Sequence, residues 1–409
     1  MKILQANKFF FRKGGSEIVL FQEREFLVGA GHHVVDFSMR DARNVESPHA
    51  AHFVDPRHYR TGNRRGKIKS ALSLVHSSEA VHQIQALIHE TRPDVVHCHN
   101  IYHQLTPSII GAAKALGVPV VLTLHDYKLV CPTYLRLRNG QVCSECLEGR
   151  FFNVVRHRCA GGSVSRSALL YAEATIQQYL RNYENADLMI APSIFMQAAA
   201  AHRIPARRVR LLYNGVDTSA IRASQTDEGY VLYVGRLSPE KGVLTLLDAH
   251  AGSRKDWPLV VAGTGPLAEE LPQRYGKARF VGHLTGMQLQ EALSRAAIVA
   301  VPSEWYENCP MSVLEAMAHG KSLVASRIGG IPELVTDNEA GLLFDAGSAE
   351  QLRDRVERLL ADPGLRRRMG LRARARAEQH FSLDKHNAGL LEIYREVISP
   401  PDPAQDDRL

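Results

Sequence analysis

The strongest constraint on this chain is a rhythm. Short apolar runs alternate with amphipathic stretches, and the pattern runs its course twice along 409 residues. In the first half, MKILQA is a strand, SEIVLFQEREFLVGAG a helix with a glycine stop, and HHVVDFSM a second strand. The helix SEAVHQIQALIHETRP leads to the strand DVVHCHN, and PSIIGAAKALG leads to VPVVLTLHD. A helix around 166–183 precedes the strand ADLMIAPS, and RVRLLYNGVD closes the set. The second half restarts with the strand GYVLYVGRL and the helix KGVLTLLDAHAG. WPLVVAG, ARFVGH, IVAVPS, SLVASR and GLLFDA follow as strands, with helical spacing in LAEELPQRYG, MQLQEALSRA, MSVLEAMAHG and SAEQLRDRVERLLADP. Alternating β and α of this kind implies parallel sheets covered by helices on both faces.

The expected fold class is therefore α/β with two doubly wound, Rossmann-like domains. The polar run 218–229 separates them, so residues 1–220 form one domain and 221–382 the other. Residues 127–165 read as a long irregular insertion, and a last helix, 383–398, can pack on either domain. A chain of this length exceeds one ordinary core. No apolar run approaches the ~18–20 residues of a membrane span, and Lys8 comes too early for a signal-peptide core. The expectation is a cytoplasmic protein.

The net charge of +7 is uneven. Residues 1–200 hold 23 Lys+Arg against 16 Asp+Glu, and the remainder is balanced. The run RHYRTGNRRGKIK (57–69) carries six basic residues and no acid. Such a patch suits an anionic partner such as a membrane surface, or is a solvated loop and helix face.

In open parallel sheets, ligands sit beyond the carboxyl ends of the strands. After GYVLYV, the loop GRLSPEKG places Arg236 and Lys241 at the start of a helix, where two cations and free amides form a diphosphate site. After IVAVPS comes EWYENCPMSVLEAMAHG. Glu307 falls in this loop and Glu315 about two turns into the helix. A helix-borne carboxylate can accept both hydroxyls of a ribose, and a loop carboxylate can hold hexose hydroxyls.

GRLSPEKG, GTGPL (263–267), FVGH (280–283), the Glu307/Glu315 pair and GGIPELV (329–335) occur in this order, preceded by GGSE (14–17), DVVHCHN, TLHDY (123–127) and NGVD (214–217). Together they resemble glycosyltransferase family 4, retaining enzymes of the GT-B fold with a central cleft, over nearly the whole chain. The resemblance implies that Arg236 and Lys241 neutralise the departing diphosphate, that Glu315 binds the ribose and that Glu307 holds the transferred sugar. It places Asn308, Cys309, Pro310 and Met311 against that sugar through their backbone. It places Gly235, Gly263 and Gly265 near the nucleotide, Gly14 and Gly15 where the backbone approaches the donor and acceptor, and His125 at the reaction centre. Many members read EGFG or EPFG where this chain has ENCP, so the sugar is left open.

The implied chemistry needs no metal: preorganised cations and amides stabilise the charge that develops on the diphosphate. The sugar becomes oxocarbenium-like. The acceptor attacks from the same face, and the departing phosphate oxygen takes its proton. Domain closure excludes water. The expected donor is a UDP- or GDP-sugar and the acceptor a glycan or polyprenyl-linked species. The expected setting is surface polysaccharide assembly, peripheral to the inner face of the membrane, with no nucleic acid.

Three side signals remain. Cys131, Cys143, Cys146 and Cys159 have the spacing C-x11-C-x2-C-x12-C within the insertion. This fits a structural zinc site, or else unliganded thiols or redox chemistry. His97, His99 and His103 suggest a metal, but a packing or acceptor-side role is favoured. GTGPLA fits a dinucleotide fingerprint but lacks the acid expected ~20 residues on. The competing functions are a nucleotide-sugar epimerase or phosphorylase on the same fold, and a zinc-ribbon nucleic-acid binder built on the basic half.

Overall fold

A computed structural model describes residues 1–57, 74–224 and 226–399. The basic run 57–69 lies, apart from Arg57, outside the described residues. The chain divides into two compact units. One comprises Met1–Arg136, Cys143–Leu212 and the chain from Asn387 onward, the other Leu137–Val142 and Tyr213–His386.

The first unit is built on strands β1 (Lys2–Ala6), β2 (His33–Phe37), β3 (Val95–Cys98) and β4 (Val120–Thr123). After the short strands β5 (Leu137–Arg138) and β6 (Gln141–Val142), β7 (Leu188–Ala191) and β8 (Val209–Leu211) complete the sheet. Its order is β2-β1-β3-β4-β7-β8, parallel throughout. Both faces are covered, so β3, β4 and β7 are buried at every residue. Ile3, Leu27, Val34, Val95, Val121 and Ile190 form one core cluster. Leu390, Ile393 and Tyr394 of the terminal helix Leu383–Ile398 belong to it. That helix is amphipathic, and its apolar stripe is buried here.

The second unit holds β9 (Val231–Val234), β10 (Leu259–Ala262), β11 (Arg279–Gly282), β12 (Ile298–Val301), β13 (Ser322–Ser326) and β14 (Gly341–Phe344). Their order is β11-β10-β9-β12-β13-β14, again all parallel. The order reverses at β9, so the loops after β9, β10 and β12 leave the sheet side by side at its ligand-binding end.

Two local readings change. LAEELPQRYG is helical only over Glu270–Arg274, with turns before it; Pro272 has no amide, so a helix starting earlier would lose the bond to the Ala268 carbonyl. The insertion is not uniformly irregular. Asn139 and Gly140 have φ of 49° and 79° and join β5 to β6 as a tight antiparallel hairpin, and Asn153–Arg156 forms one helical turn. Among the described residues no helix is long and apolar enough to cross a membrane.

Candidate active site

The best-defined chemistry lies on three loops of the second unit. Between β9 and the helix Val243–Ala251 the chain makes a single 3-10 turn, Pro239–Lys241. Lys241 therefore sits on that turn and not on the helix. Gly242 links the two at φ +66°, and a Cβ there would lie 1.7 Å from the Pro302 carbonyl oxygen. Only glycine lets the loop after β9 seat on the loop after β12.

That contact sets the charge pair. Lys241 Nζ donates to Glu307 Oε1 at 2.7 Å, and so does Ser303 Oγ, also at 2.7 Å. Lys241 also stands 4.8 Å from the centroid of the Trp305 ring. Burial pushes the Glu307 carboxyl up, but Lys241, Ser303 and Trp305 outweigh it and hold the group below the usual carboxylate range. The backbone of Glu307 is fixed as well. Its carbonyl accepts from Gly330 N at 2.7 Å, and Gly329, at φ +56°, packs so close that a Cβ would meet that oxygen at 2.3 Å. The glycines of GGIPELV thus brace the loop that carries Glu307.

Glu315 is the fifth residue of the helix Met311–Ala318, little more than one turn in rather than two. It is partly exposed. Its carboxylate has no hydrogen-bond or ion-pair partner among the described residues, and burial raises its pKa to about 7. Arg236 is exposed, and its guanidinium likewise has no partner among the described residues. Asn308 and Pro310 are half-buried and Met311 is buried, leading into the helix N-terminus. The Cys309 thiol is buried with its pKa pushed up to about 12, and its carbonyl accepts from Asn214 Nδ2 at 2.9 Å. Cys309 thus presents backbone, not sulfur, and the NGVD motif pins it.

Gly263 and Gly265 serve the chain itself. A Cβ at Gly263 (φ +150°) would meet the Gly235 carbonyl at 1.8 Å, and one at Gly265 the Leu237 carbonyl at 2.4 Å. Leu237 N donates to Thr264 O at 2.9 Å, so the two loops form one backbone platform. No helix opens at GTGPLA, which removes the dinucleotide fingerprint. Gly235 is confined more gently: a Cβ would meet the Tyr233 hydroxyl at 3.0 Å.

In the first unit the GGSE turn follows β1. Gly14 is in extended backbone that any residue adopts, and a Cβ there would meet nothing nearer than Glu17 Oε2 at 3.7 Å. Gly15 opens the helix Gly15–Gly29. Glu17 is buried, and Asn7 Nδ2 donates to it at 3.3 Å. Burial raises its pKa, raises that of Asp126 and lowers that of Lys8. Lys8 lies 3.8 Å from the Tyr102 ring centroid, and the Tyr102 hydroxyl donates to Asp126 Oδ2 at 2.5 Å. His125 is half-buried beside Asp126, with Nε2 2.9 Å from His99 Nδ1. His97 and His99 lie together, ring centroids 4.1 Å apart, while His103 packs on Tyr102.

Sequence reasoning missed Lys8, Glu17, Asp126, Ser303 and Trp305. Glu17 and Asp126 stood inside quoted motifs, GGSE and TLHDY, and were legible. Lys8, Ser303 and Trp305 carried no pattern of their own.

None of the four insertion cysteines forms a disulfide. Cys146 is pushed up to about 12, first by burial and then by Cys131, Cys143 and Cys159 nearby. Among the described residues, the donor set whose atoms lie within 4.8 Å of one another is Glu23, His97 and His99. The four thiols are not such a set.

Two parallel-sheet units with a paired cation and carboxylate on glycine-braced loops define a glycosyltransferase of the GT-B type. Comparison with known proteins agrees. The family described as Glycosyltransferase Family 4 matches residues 13–220, and the one described as Glycosyl transferases group 1 matches 217–376. The chain belongs to glycosyltransferase family 4. It is similar to the alpha-maltose-1-phosphate synthase of Mycolicibacterium smegmatis, 31% identical over 344 residues covering 74% of this chain and 79% of that protein. The alpha-D-kanosaminyltransferase of Streptomyces kanamyceticus is 31% identical over 48% of this chain and 56% of its own length. Among solved structures, the sucrose-phosphate synthase of Thermosynechococcus elongatus shares the fold with a TM-score of 0.73, 22% identity, and coverage of 98% of this chain and 99% of that one. Anabaena HepE in complex with UDP-glucose shares it with a TM-score of 0.68 and 20% identity, over 96% and 99%.

Proposed function

We propose that this protein transfers a hexose-type sugar from a UDP- or GDP-sugar to a glycan or polyprenyl-linked acceptor, retaining anomeric configuration without a catalytic metal. The observation that carries the reading is the contrast between two neighbouring carboxylates. Glu307 is ionised and held by Lys241, and Glu315 is raised to about 7 with no partner among the described residues. A ribose that donates both hydroxyls to Glu315 supplies the missing partners. Lys241 and Arg236 meet the diphosphate, and Glu307 stays placed for the hexose hydroxyls. Anabaena HepE, which shares the fold, has been solved with UDP-glucose and with UDP and glucose, and this supports the same class of donor.

The test is a thermal-shift screen against UDP, GDP, ADP and their sugar conjugates on wild type and Glu315→Ala. A ligand at 100 times its Kd stabilises by about 2.7 kcal/mol. The expected outcome is one nucleotide that stabilises wild type and not the variant. If none does, the nucleotide-sugar reading fails. Product analysis with and without acceptor separates transfer from epimerisation.

Two further parts of this reading have their own tests. The basic run 57–69 contacts an anionic membrane surface from the cytoplasmic side. Sedimentation with anionic liposomes is expected to exceed that with neutral ones and to weaken with salt, and equal sedimentation sinks it. The four cysteines close on a structural zinc, supported by their spacing and by the nearness of three of them to Cys146. Purified protein is then expected to hold about one zinc per chain. Metal-free protein with all four thiols open to a thiol reagent overturns this.

A further inference from the structure

A surface helix normally turns charged side chains to water. The helix Val164–Tyr179, which follows the cysteine-bearing insertion, does not. Its only charged residues are Arg166, in the first turn, and Glu173, which is buried and accepts from Lys128 Nζ at 2.6 Å. One face is packed inward, through Ser167, Glu173, Ala174 and Gln177. The opposite stripe runs through Ala168, Ala172, Ile176 and Tyr179, three or four residues apart, and all four are exposed. Leu180, just past the helix, continues the stripe. For about three turns the helix therefore presents an apolar surface to water.

The insertion adds to this face. The Phe152 ring packs edge-on against Tyr171 of the helix, with centroids 5.8 Å apart. Gly149 lies so close to Gln178 that a Cβ there would meet its Nε2 at 2.6 Å. Phe152 is 60% exposed, Val164 50%, Ile176 39%, Tyr179 85% and Leu180 49%. Among the described residues twelve large apolar side chains are exposed, and five of them fall within 152–180. A single exposed apolar residue is ordinary, but a cluster marks a surface that meets something.

Charge decides what it meets. Between Phe151 and Asn182 stand Arg156, Arg158, Arg166 and Arg181, all exposed. The one acid in that span is the buried Glu173. None of the four arginines has an ion-pair partner among the described residues. A second copy of this chain would bring the same positive charge to the patch. A nucleic acid would use the arginines and the aromatic rings but leave Val164, Ile176 and Leu180 in water. An anionic lipid surface uses everything present. Aliphatic and aromatic side chains enter the boundary between headgroups and acyl chains, and the arginines meet the lipid phosphates.

We propose that the outer face of the helix Val164–Tyr179, with Phe152 beside it, is an insertion surface that lies in the headgroup layer of an anionic membrane. It is separate in sequence from the basic run 57–69 and does not depend on that run or on the transferase reading.

The experiment puts a fluorescent probe on the face of the full chain. In Tyr179→Trp the new indole is expected to shift to the blue with phosphatidylglycerol vesicles and to be quenched by lipids brominated high on the acyl chain. The native Trp257 and Trp305 belong to the other unit. Met287, exposed in that unit, supplies the control, and Met287→Trp is expected to keep its emission. The shift is expected to be weak with phosphatidylcholine vesicles and to fade with salt. In the Tyr179→Trp background, Ile176→Ser is expected to weaken partitioning about tenfold. Arg158→Gln with Arg166→Gln is expected to weaken it about fivefold for each charge lost. All these side chains are exposed, so the melting temperatures are expected to stay close to that of the parent. Residues 57–69 are intact in every variant. Vesicles that sediment the protein while the probe stays unshifted therefore overturn this proposal and leave the reading of that run standing. Equal quenching of Met287→Trp, or equal binding to neutral vesicles, also overturns it. A probe that shifts without lipid as protein concentration rises marks a second copy on the face. One that shifts with a single-stranded oligonucleotide but not with vesicles marks a nucleic acid. Either result overturns the membrane assignment.

Discussion

The two units solve the same problem with different materials. In the second, the loops beyond the strands are packed backbone on backbone, and glycine is the only residue that fits at Gly242, Gly263, Gly265 and Gly329. The site there is shaped by sterics, with Arg236 exposed, Lys241 paired to the buried Glu307, and Glu315 without a partner among the described residues. In the first unit the corresponding glycine, Gly14, is under no such pressure. Its site is shaped by buried polar side chains, from Glu23 through His125 to Asp126 and Tyr102. A platform of backbone suits a diphosphate, whose charge is always present and always of one sign. A network of titratable groups suits a hydroxyl, whose proton must be directed.

Glycine substitutions break the comparison most directly. Gly242→Ala is expected to cost about 3–5 kcal/mol, because both the left-handed backbone and the Pro302 carbonyl oppose it. Gly14→Ala is expected to shift stability by no more than about 0.5 kcal/mol. Denaturant unfolding of both variants checks this, and equal losses would erase the distinction. If Gly14→Ala loses activity at full stability, the glycine serves a ligand.

Next in size is the ion pair. Lys241→Met leaves the buried Glu307 carboxylate without its cation, a loss of about 3 kcal/mol near pH 8. Lys241 helps hold the Glu307 pKa down, so that stabilisation is present above the usual carboxylate range and is lost as pH falls through it. The difference between wild type and variant is therefore expected to shrink toward pH 4. A pH-independent difference would place the effect in packing against Trp305.

Glu315 has the opposite sign. Its folded pKa of about 7 exceeds its ordinary 4.5, so the free protein loses stability as pH rises between these values. Glu315→Gln is expected to remove that slope, worth roughly 3 kcal/mol at pH 8. A ribose donating to the carboxylate favours its ionised form, so nucleotide affinity is expected to rise with pH and level off above about 7. Calorimetry at several pH values reads this, and a flat profile would remove Glu315 from the site. The smallest expected loss among the side-chain variants is Asn214→Ala, which loses one hydrogen bond to the Cys309 carbonyl for about 1 kcal/mol and should alter sugar preference more than stability.

Much of this was legible in the chain itself. Apolar runs of four or five residues between amphipathic stretches dictate parallel sheets, because only strands covered on both faces can be apolar throughout. Arg236, Lys241, Glu307 and Glu315 could be named as candidates because each lies just after a strand or in the helix that follows, where local spacing predicts position. The hairpin at Asn139–Gly140 was also legible and was passed over amid its irregular surroundings.

What the sequence alone determined, then, is everything governed by neighbours along the chain: strand and helix order, the doubling of the fold, and which loops carry charge. What only the tertiary structure decided is everything set by distance across it. Gly242 meets Pro302 sixty residues on, Asn214 holds Cys309, and Tyr394 reaches back to His97 from the far end of the chain. The physical reason is that a periodic pattern records which face of an element is apolar, but not which polar groups another element will place against it.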